Sequence, residues 1–500
     1  MSIRVRFPPA PSGPLHIGNV RTALFNWLFA RHHGGTFIVR IEDTDRDRVM
    51  PGALELILEA LQWLGLDWDE GPDPADPSRD IGDYGPYVQS RRIERYQAAA
   101  KRLLEAGQAY LCYCSPERLD EVRKEQQRQK LPPKYDRHCR QLTEAERAEC
   151  EATGATPVVR FKTPLAGQTS FHDLLRGDLV FENDTLDDFV LVRRDGFPVY
   201  HLASVVDDYE MRISHIMRGD DWVSSTPRHV LLYQALGWEL PAFAHLPMIL
   251  GPDGARLGKR HGATSVLEFR DEGYLPEAIF NFLGLLGWSL DDRTEIIDRQ
   301  TFIENFSLER VLKSPATFNV EKLQWMNGIY IRQLPVEELA RRIAPFLERE
   351  LGRAPDGKLL LRVTPLIQER IKLLAEAVAM ADFFFVQGEL DYSMETLLGK
   401  KFAGAPALAA GALERVLAVA GRAERWDAAT LEQAIRPLAE ELAIKTGDLF
   451  GLVRVAITGR TAAPPLFETM DVLGRERTLE RLSAAVQKLA RPAGEAATGG

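Results

Sequence analysis

Two short segments carry residue types and spacings suited to handling phosphate. The first, PPAPSGPLHIGN, leads from a strand-like stretch at 3–7 into a helix whose apolar positions Val20, Leu24, Trp27 and Leu28 recur at helical spacing. It sets His16, Gly18 and Asn19 where free main-chain N–H groups and the positive end of a helix dipole favour an anion. The second, GARLGKRHGATSV, surrounds Lys259 with Gly254, Arg256, Gly258 and Arg260. A cationic loop of this kind can close over a triphosphate and stabilise charge at an α-phosphate during displacement. Lysine supplies a compact point charge for that purpose. Taken alone, His16 reads equally as a capping or packing histidine, and the lysine loop as a surface turn.

The elements that must position these residues are legible around them. TFIVRIED is a β-branched apolar run of strand length, so the first 45 residues read as strand, helix and strand with a parallel sheet, half of a Rossmann-type nucleotide fold. The missing G-x-G-x-x-G argues against its dinucleotide-binding version and a nicotinamide dehydrogenase. An amphipathic helix over 51–66 and the Pro/Asp/Gly-rich loop DEGPDPADPSRDIGDYGP follow. From about Tyr87 to Val190 mixed helices, a cysteine cluster and the short strands PVVRFKTP and LVFEND suggest an inserted subdomain. A strand-type apolar pattern resumes through FVLVRRDGFPVYHLASVVDDYEMRISHIMRGDDW and leads to a helix over Thr226–Leu236. Beyond Asn327 every segment has helical spacing.

The fold class is therefore α/β plus all-α. Residues 1–86 and 191–245 form the two halves of a parallel-sheet catalytic domain, 87–190 the insert, 246–326 a connecting region that holds the lysine loop, 327–488 a helical domain, and 489–500 a disordered tail. A chain of 500 residues, 27% charged and 45% hydrophobic, has the balance of a folded multidomain protein. It contains no apolar run of about 18 residues and no export signal, so no membrane association and a cytoplasmic location are expected. The net charge of −10 excludes a uniformly basic nucleic-acid coat but not a local basic face.

Together, PSGPLHIGN followed by IVRIEDTDRDR, and GARLGKRHGATSV roughly 240 residues later, resemble the HIGH and KMSKS motifs of class I aminoacyl-tRNA synthetases of the glutamyl group. VYHLASVVDDYEMRISHIMRGDDWVSSTPRH and KLQWMNGIYI strengthen the likeness, which covers roughly residues 3–485. The resemblance implies activation of L-glutamate with ATP and Mg2+, then transfer to tRNA(Glu), by a monomer. It assigns His16 and Lys259 to catalysis, and His16, Gly18, Asn19, Leu257, Lys259 and Arg260 to ATP. Such chemistry needs positioning and charge stabilisation, not a protein nucleophile. An acidic substrate side chain needs a buried guanidinium, which compensates carboxylate desolvation and rejects a neutral amide. By the resemblance Arg6, which ends the first strand, and Arg218, which follows the MRISHIM strand, hold that carboxylate with Tyr200, and Glu42 holds the α-amino group. Each arginine alone reads as a salt-bridged surface residue.

The resemblance also implies that the insert grips the tRNA acceptor end, that residues around 245–325 contact the inner stem, and that the helical domain reads the anticodon. Asp45 and Arg48 in DTDRDR, and the stretch RKEQQRQKLPPKYDRHCR with Tyr135 interleaved, suit nucleic acid; a solvated charged helix is the alternative. Cys112, Cys114 and Cys139 resemble a Zn2+ site of some family members. Gln141 stands where the family has a histidine, leaving His138 or Cys150 as the fourth ligand, or free thiols instead. Ala10, Ser204, Arg256 and Gly258 depart from the family pattern, which touches affinity and loop behaviour and leaves the reaction class intact. The rivals are a form that also charges tRNA(Gln), an inactive tRNA-binding homologue, the glutaminyl enzyme, and the short paralogue that glutamylates a modified base. The helical C-terminal region disfavours the last two.

Overall fold

The structure, a computed structural model, describes residues 2–258, 260 and 265–490; Lys259 and residues 491–500 of the expected tail lie outside the described residues. The chain divides into two compact units, Met1–Arg270 with Pro276–Val320, and Asp271–Leu275 with Glu321–Gly500.

In the first unit the strand β1 (Arg4–Phe7) leads through the Pro/Gly loop to the helix α1 (Ile17–His32) and the strand β2 (Thr36–Val39). The two strands pair in parallel, Arg4 opposite Thr36 and Phe7 opposite Val39. Helix α1 buries Val20, Leu24, Trp27 and Leu28, the positions its spacing singles out. The return to β2 passes so close to the chain start that a Cβ at Gly35 would lie 2.5 Å from the Ile3 carbonyl oxygen, which leaves glycine as the fitting residue there. Ser214 N–H donates to the Arg4 carbonyl at 2.9 Å, laying β1 beside the strand His215–Gly219. That strand pairs in parallel with Ala242–Leu246, and the helix Thr226–Leu236 connects them.

Two readings change. The strand-type pattern from Phe189 onward holds only at Val190–Val192 and His215–Gly219; between them Tyr200–Glu210 is a helix. Its Leu202, Ala203, Val205 and Val206 are all buried, and a continuous apolar run of this length fits a buried strand or a buried helix equally well. Arg218 consequently lies within a strand and not after one. The hairpin Gln168–Asp173 and Gly177–Glu182 joins the edge of the same sheet, with Asp173 opposite Phe243. Elsewhere in the unit, Ala109–Cys112, Val158–Phe161 and Val190–Val192 form a separate antiparallel sheet.

The second unit is helical from Glu321 to Ala490, the end of its last described helix, so residues 489 and 490 of the expected tail are helical. Helices Pro406–Gly421 and Arg475–Ala490 pack together, burying Leu413, Val416, Leu482 and Ala485. Among the described residues, no single helix is long and apolar enough to cross a membrane.

Candidate active site

The loops at the carboxyl ends of the parallel strands enclose a cleft of about 570 Å³ in the first unit. It gathers Arg6, His16, Gly18, Asn19, Glu42, Asp45, Arg48, Tyr200, Arg218 and Leu257 on one wall system. Arg260 is exposed and pairs with Asp253 at 2.9 Å instead of lining the cleft.

At the α1 end, His16 is the helix N-cap, and its Nδ1 accepts the Gly18 main-chain N–H at 3.1 Å. An accepting Nδ1 carries no proton, so the ring proton sits on Nε2. Burial, reinforced by the nearby Arg256 charge, holds the His16 pKa below 6.5 and the ring neutral at pH 7. The capping histidine and the cleft histidine are thus the same group. Asp45 and Arg48 are exposed at the single turn Arg46–Arg48 on the rim.

Two buried guanidiniums, those of Arg6 and Arg218, also face the cleft. Arg6 donates from Nε and Nη2 to the Asp208 carboxylate at 3.0 and 3.3 Å. Arg40, with no exposed surface, bridges Asp208 at 2.6 Å and Glu42 at 2.9 Å. Burial opposes the Arg40 charge, but Asp208, Asp207 and Glu42 outweigh it and hold the group cationic. Asp207 is in turn bound by Arg92 at 2.6 Å, Gln89 at 2.8 Å and Tyr96 at 2.9 Å. Isolated buried charge costs several kcal/mol, and this interlocked set offsets it by pairing every carboxylate. Burial pushes the Glu42 carboxyl above the ordinary range in spite of Arg40.

Arg218 donates to Tyr200 Oη at 3.1 Å, Thr226 Oγ1 at 2.8 Å and His245 Nε2 at 3.2 Å. The Tyr200 and Trp222 rings, 4.5 Å apart, wall the guanidinium on the cleft side.

Asp208, Arg40, Trp222 and His245 are absent from the sequence-derived site. A signal for two of them existed: the acidic pair inside the apolar helix segment HLASVVDDY, and an arginine inside the apolar strand FIVRI, are charges where water cannot reach. Of the departures, Ala10 and Arg256 line the cleft, and Arg256 pairs with Asp221 at 3.3 Å. Ser204 is buried, and its hydroxyl has no hydrogen-bond partner among the described residues. Gly258 is half-buried in the approach to Lys259.

The cysteine cluster is separate from the cleft. The sulfurs of Cys112, Cys114 and Cys139 lie within 4.8 Å of one another, all buried and reduced. His138 is exposed, and neither it nor Cys150 belongs to the group. The Tyr135 hydroxyl does approach, 3.2 Å from Cys112 Sγ and 3.4 Å from Cys114 Sγ. Tyr135 is 6% exposed beneath the Arg160 guanidinium, which corrects its reading as a nucleic-acid contact. Sulfur–hydrogen bonds from Cys114 and Cys139 push the Cys112 thiol down, toward a thiolate.

Comparison with known proteins agrees with this geometry. The family model described as tRNA synthetases class I (E and Q), catalytic domain, matches residues 2–325, and an anticodon binding domain model matches residues 338–486. The chain is 53% identical to a glutamate–tRNA ligase of Dehalococcoides mccartyi, covering 97% of this chain and 98% of that one. It is 49% identical to the glutamate–tRNA ligase of Moorella thermoacetica over the same shares. A crystal structure of a glutamate tRNA ligase from Elizabethkingia meningosepticum in complex with its amino acid superposes with a TM-score of 0.84 at 34% identity, covering 98% of this chain and all of that one. A phosphate-suited helix terminus and a guanidinium-lined end within one cleft, on a chain matched along nearly its whole length, leave one conclusion: the chain belongs to the class I tRNA synthetases of the glutamyl and glutaminyl group.

Proposed function

We infer that this chain activates L-glutamate with ATP and transfers it to the 3′ end of tRNA(Glu), releasing AMP and diphosphate. The observation that carries the reading is the pair of buried arginines, Arg6 and Arg218, in the same cleft that the α1 N-terminus lines. Two cations at fixed angles suit a substrate with an acidic side chain and disfavour a neutral amide.

The residues divide the work by position. Arg6, Arg218 and Tyr200 would hold the side-chain carboxylate, and Glu42, steadied by Arg40, the α-ammonium. That leaves the α-carboxylate pointing toward the helix terminus. There His16 Nε2–H and the cleft-lining residues Gly18, Asn19 and Leu257 would hold ATP, which arrives as its Mg2+ complex. Lys259 would stabilise the charge that develops when the glutamate oxygen attacks the α-phosphate and diphosphate leaves. The tRNA ribose hydroxyl then attacks the mixed anhydride, with Asp45 and Arg48 on the rim meeting the incoming end. Every step is positioning and charge stabilisation by preset groups.

The three thiols and Tyr135 offer four ligand atoms of types that zinc accepts, with one thiol already inclined to ionise. They would hold Zn2+ as a closed structural cross-link of the insert. Metal analysis of the purified chain is expected to return one zinc, lost in Cys139→Ser; none would dismiss the site.

The assay that tests the function offers labelled glutamate or glutamine with tRNA(Glu) transcript. Charging by glutamate alone is expected. No charging, with tRNA binding intact, would overturn the reading in favour of a binding homologue.

A further inference from the structure

Behind Arg218 lies a relay that neither reaches the cleft nor belongs to the substrate contacts. Arg218 Nε–H donates to His245 Nε2 at 3.2 Å, and His245 Nδ1 stands 2.6 Å from Asp173 Oδ2. His245 and Asp173 have no exposed surface. Asp173 also accepts the main-chain N–H groups of His245, Leu175 and Arg176 at 3.1, 3.0 and 2.9 Å, so its position is fixed by the hairpin turn that follows its strand.

A carboxylate only accepts, so the His245 proton is on Nδ1, which leaves a lone pair on Nε2 for Arg218. The Thr226 hydroxyl lies 3.0 Å from the same Nε2 and has the Trp222 carbonyl, also at 3.0 Å, as its own acceptor. A guanidinium has five N–H bonds. His245 takes the single one on Nε, while Tyr200 and Thr226 each take one from a terminal nitrogen. One N–H on each terminal nitrogen is left for a carboxylate. Tyr200 and Thr226 hold the terminal nitrogens through hydroxyls, and His245 adds a third in-plane acceptor, on a ring that Asp173 fixes, so the guanidinium plane is held at all three nitrogens.

We propose that His245 and Asp173 are positioning residues that hold the Arg218 guanidinium in the plane required to bind the substrate carboxylate. The inference rests on the reading that Arg218 meets the glutamate side chain. It also gives the hairpin Gln168–Asp173 and Gly177–Glu182 a part in amino-acid selection, since Asp173 ends its first strand.

The test is steady-state charging by the full-length enzyme, with KM measured separately for glutamate, ATP and tRNA. His245→Phe keeps an aromatic ring between Phe243 and Phe171, whose centroids lie 6.4 and 6.1 Å away, and leaves Asp173 its three main-chain donors. It is expected to raise the glutamate KM about tenfold or more, the effect of losing one hydrogen bond to a charged group. The ATP and tRNA KM values and kcat should stay within about threefold. His245→Gln, whose amide oxygen can stand in for Nε2, should recover most of the loss. Asp173→Asn, which keeps an acceptor oxygen, should give a smaller rise than His245→Phe. Arg218→Lys separates the two levels of argument. An unchanged glutamate KM in Arg218→Lys would sink the substrate reading. A raised one, with His245→Phe unaffected, would overturn the positioning role alone. Equal increases in all three KM values in His245→Phe, or no recovery with Gln, would also overturn it by making the effect generally structural.

Discussion

The two units differ in how they bury charge. In the first, Arg6 and Arg218 line the cleft, Arg40, Arg92, Asp207 and Asp208 are buried with them, and the two carboxylates are paired with guanidiniums at 2.6 to 3.7 Å. In the second, Arg481 is the buried charged side chain among the described residues, and its partners are the main-chain carbonyls of Ile457, Phe383 and Val386. Those carbonyls lie at or near helix ends, where unsatisfied acceptors and the negative end of the dipole attract a cation. Arg481 is a strut for main chain. Buried Arg21 of the first unit is, like Arg481, a strut for main chain, donating to the Leu286 and Pro247 carbonyls. Arg6, Arg40 and Arg92 of that unit are instead oriented by carboxylates, a costly arrangement with no packing advantage over apolar side chains. Ion pairs of that kind hold Arg6 and Glu42 at fixed angles toward a ligand, which apolar packing would not do.

The contrast breaks first at Asp208. Asp208→Ala strips Arg6 and Arg40 of their shared carboxylate and should destabilise the first unit by about 3–5 kcal/mol, as for any buried pair that loses one member. Urea unfolding measures it, with the glutamate KM rising in parallel. A loss below about 1 kcal/mol would mean that water already reaches the network.

Lys259 should behave conversely. Lys259→Ala is expected to lower the charging rate by about 10²-fold, the order found when one preset charge-stabilising group is removed, while the unfolding midpoint and tRNA affinity stay put. Unchanged single-turnover charging would remove the loop from the chemistry. Arg481→Met sharpens the same contrast from the other side. It should cost about 1–3 kcal/mol by leaving main-chain acceptors unsatisfied, with glutamate and ATP KM values unmoved. A shift in the glutamate KM would erase the distinction between the two kinds of buried arginine.

These residues also mark where the sequence could be read and where it could not. That His16, Arg6, Glu42, Tyr200 and Arg218 share one cleft was legible because they sit in or beside strand and helix termini, in motifs that survive in one dimension. The strand, helix and strand that opens the fold was legible because its periods switch cleanly between two elements. The helix Tyr200–Glu210 was not, since all of its central residues are buried and period carries no information there. His245 and Asp173 were invisible for a different reason. They are 72 residues apart and meet only because a hairpin from the insert joins the edge of the catalytic sheet at Phe243. Tyr135 was misread because a tyrosine among arginines looks like a nucleic-acid contact until the Cys112 and Cys114 thiols and the Cys139 main-chain N–H are seen to converge on its hydroxyl.

The smallest expected effect concerns Glu42, whose carboxyl is raised by burial despite its ion pair with Arg40. If its charged form pairs with the substrate ammonium, that form is complete well above its pKa and is lost as pH falls through it. Because the pKa is raised, the loss begins at higher pH than for an exposed glutamate. The glutamate KM should therefore rise by about two- to threefold between pH 7.5 and 5.5, the window just above an elevated carboxyl pKa. His16 and His245 are both held below their ordinary value by burial, and the substrate's own ammonium and side-chain carboxylate titrate well outside that window. Glu42→Gln keeps the hydrogen-bonding shape without the charge and should give a high, pH-independent KM. A wild-type KM flat across the window, or a slope that survives in Glu42→Gln, would place the ammonium contact elsewhere and leave Glu42 as one more member of the paired network behind the cleft.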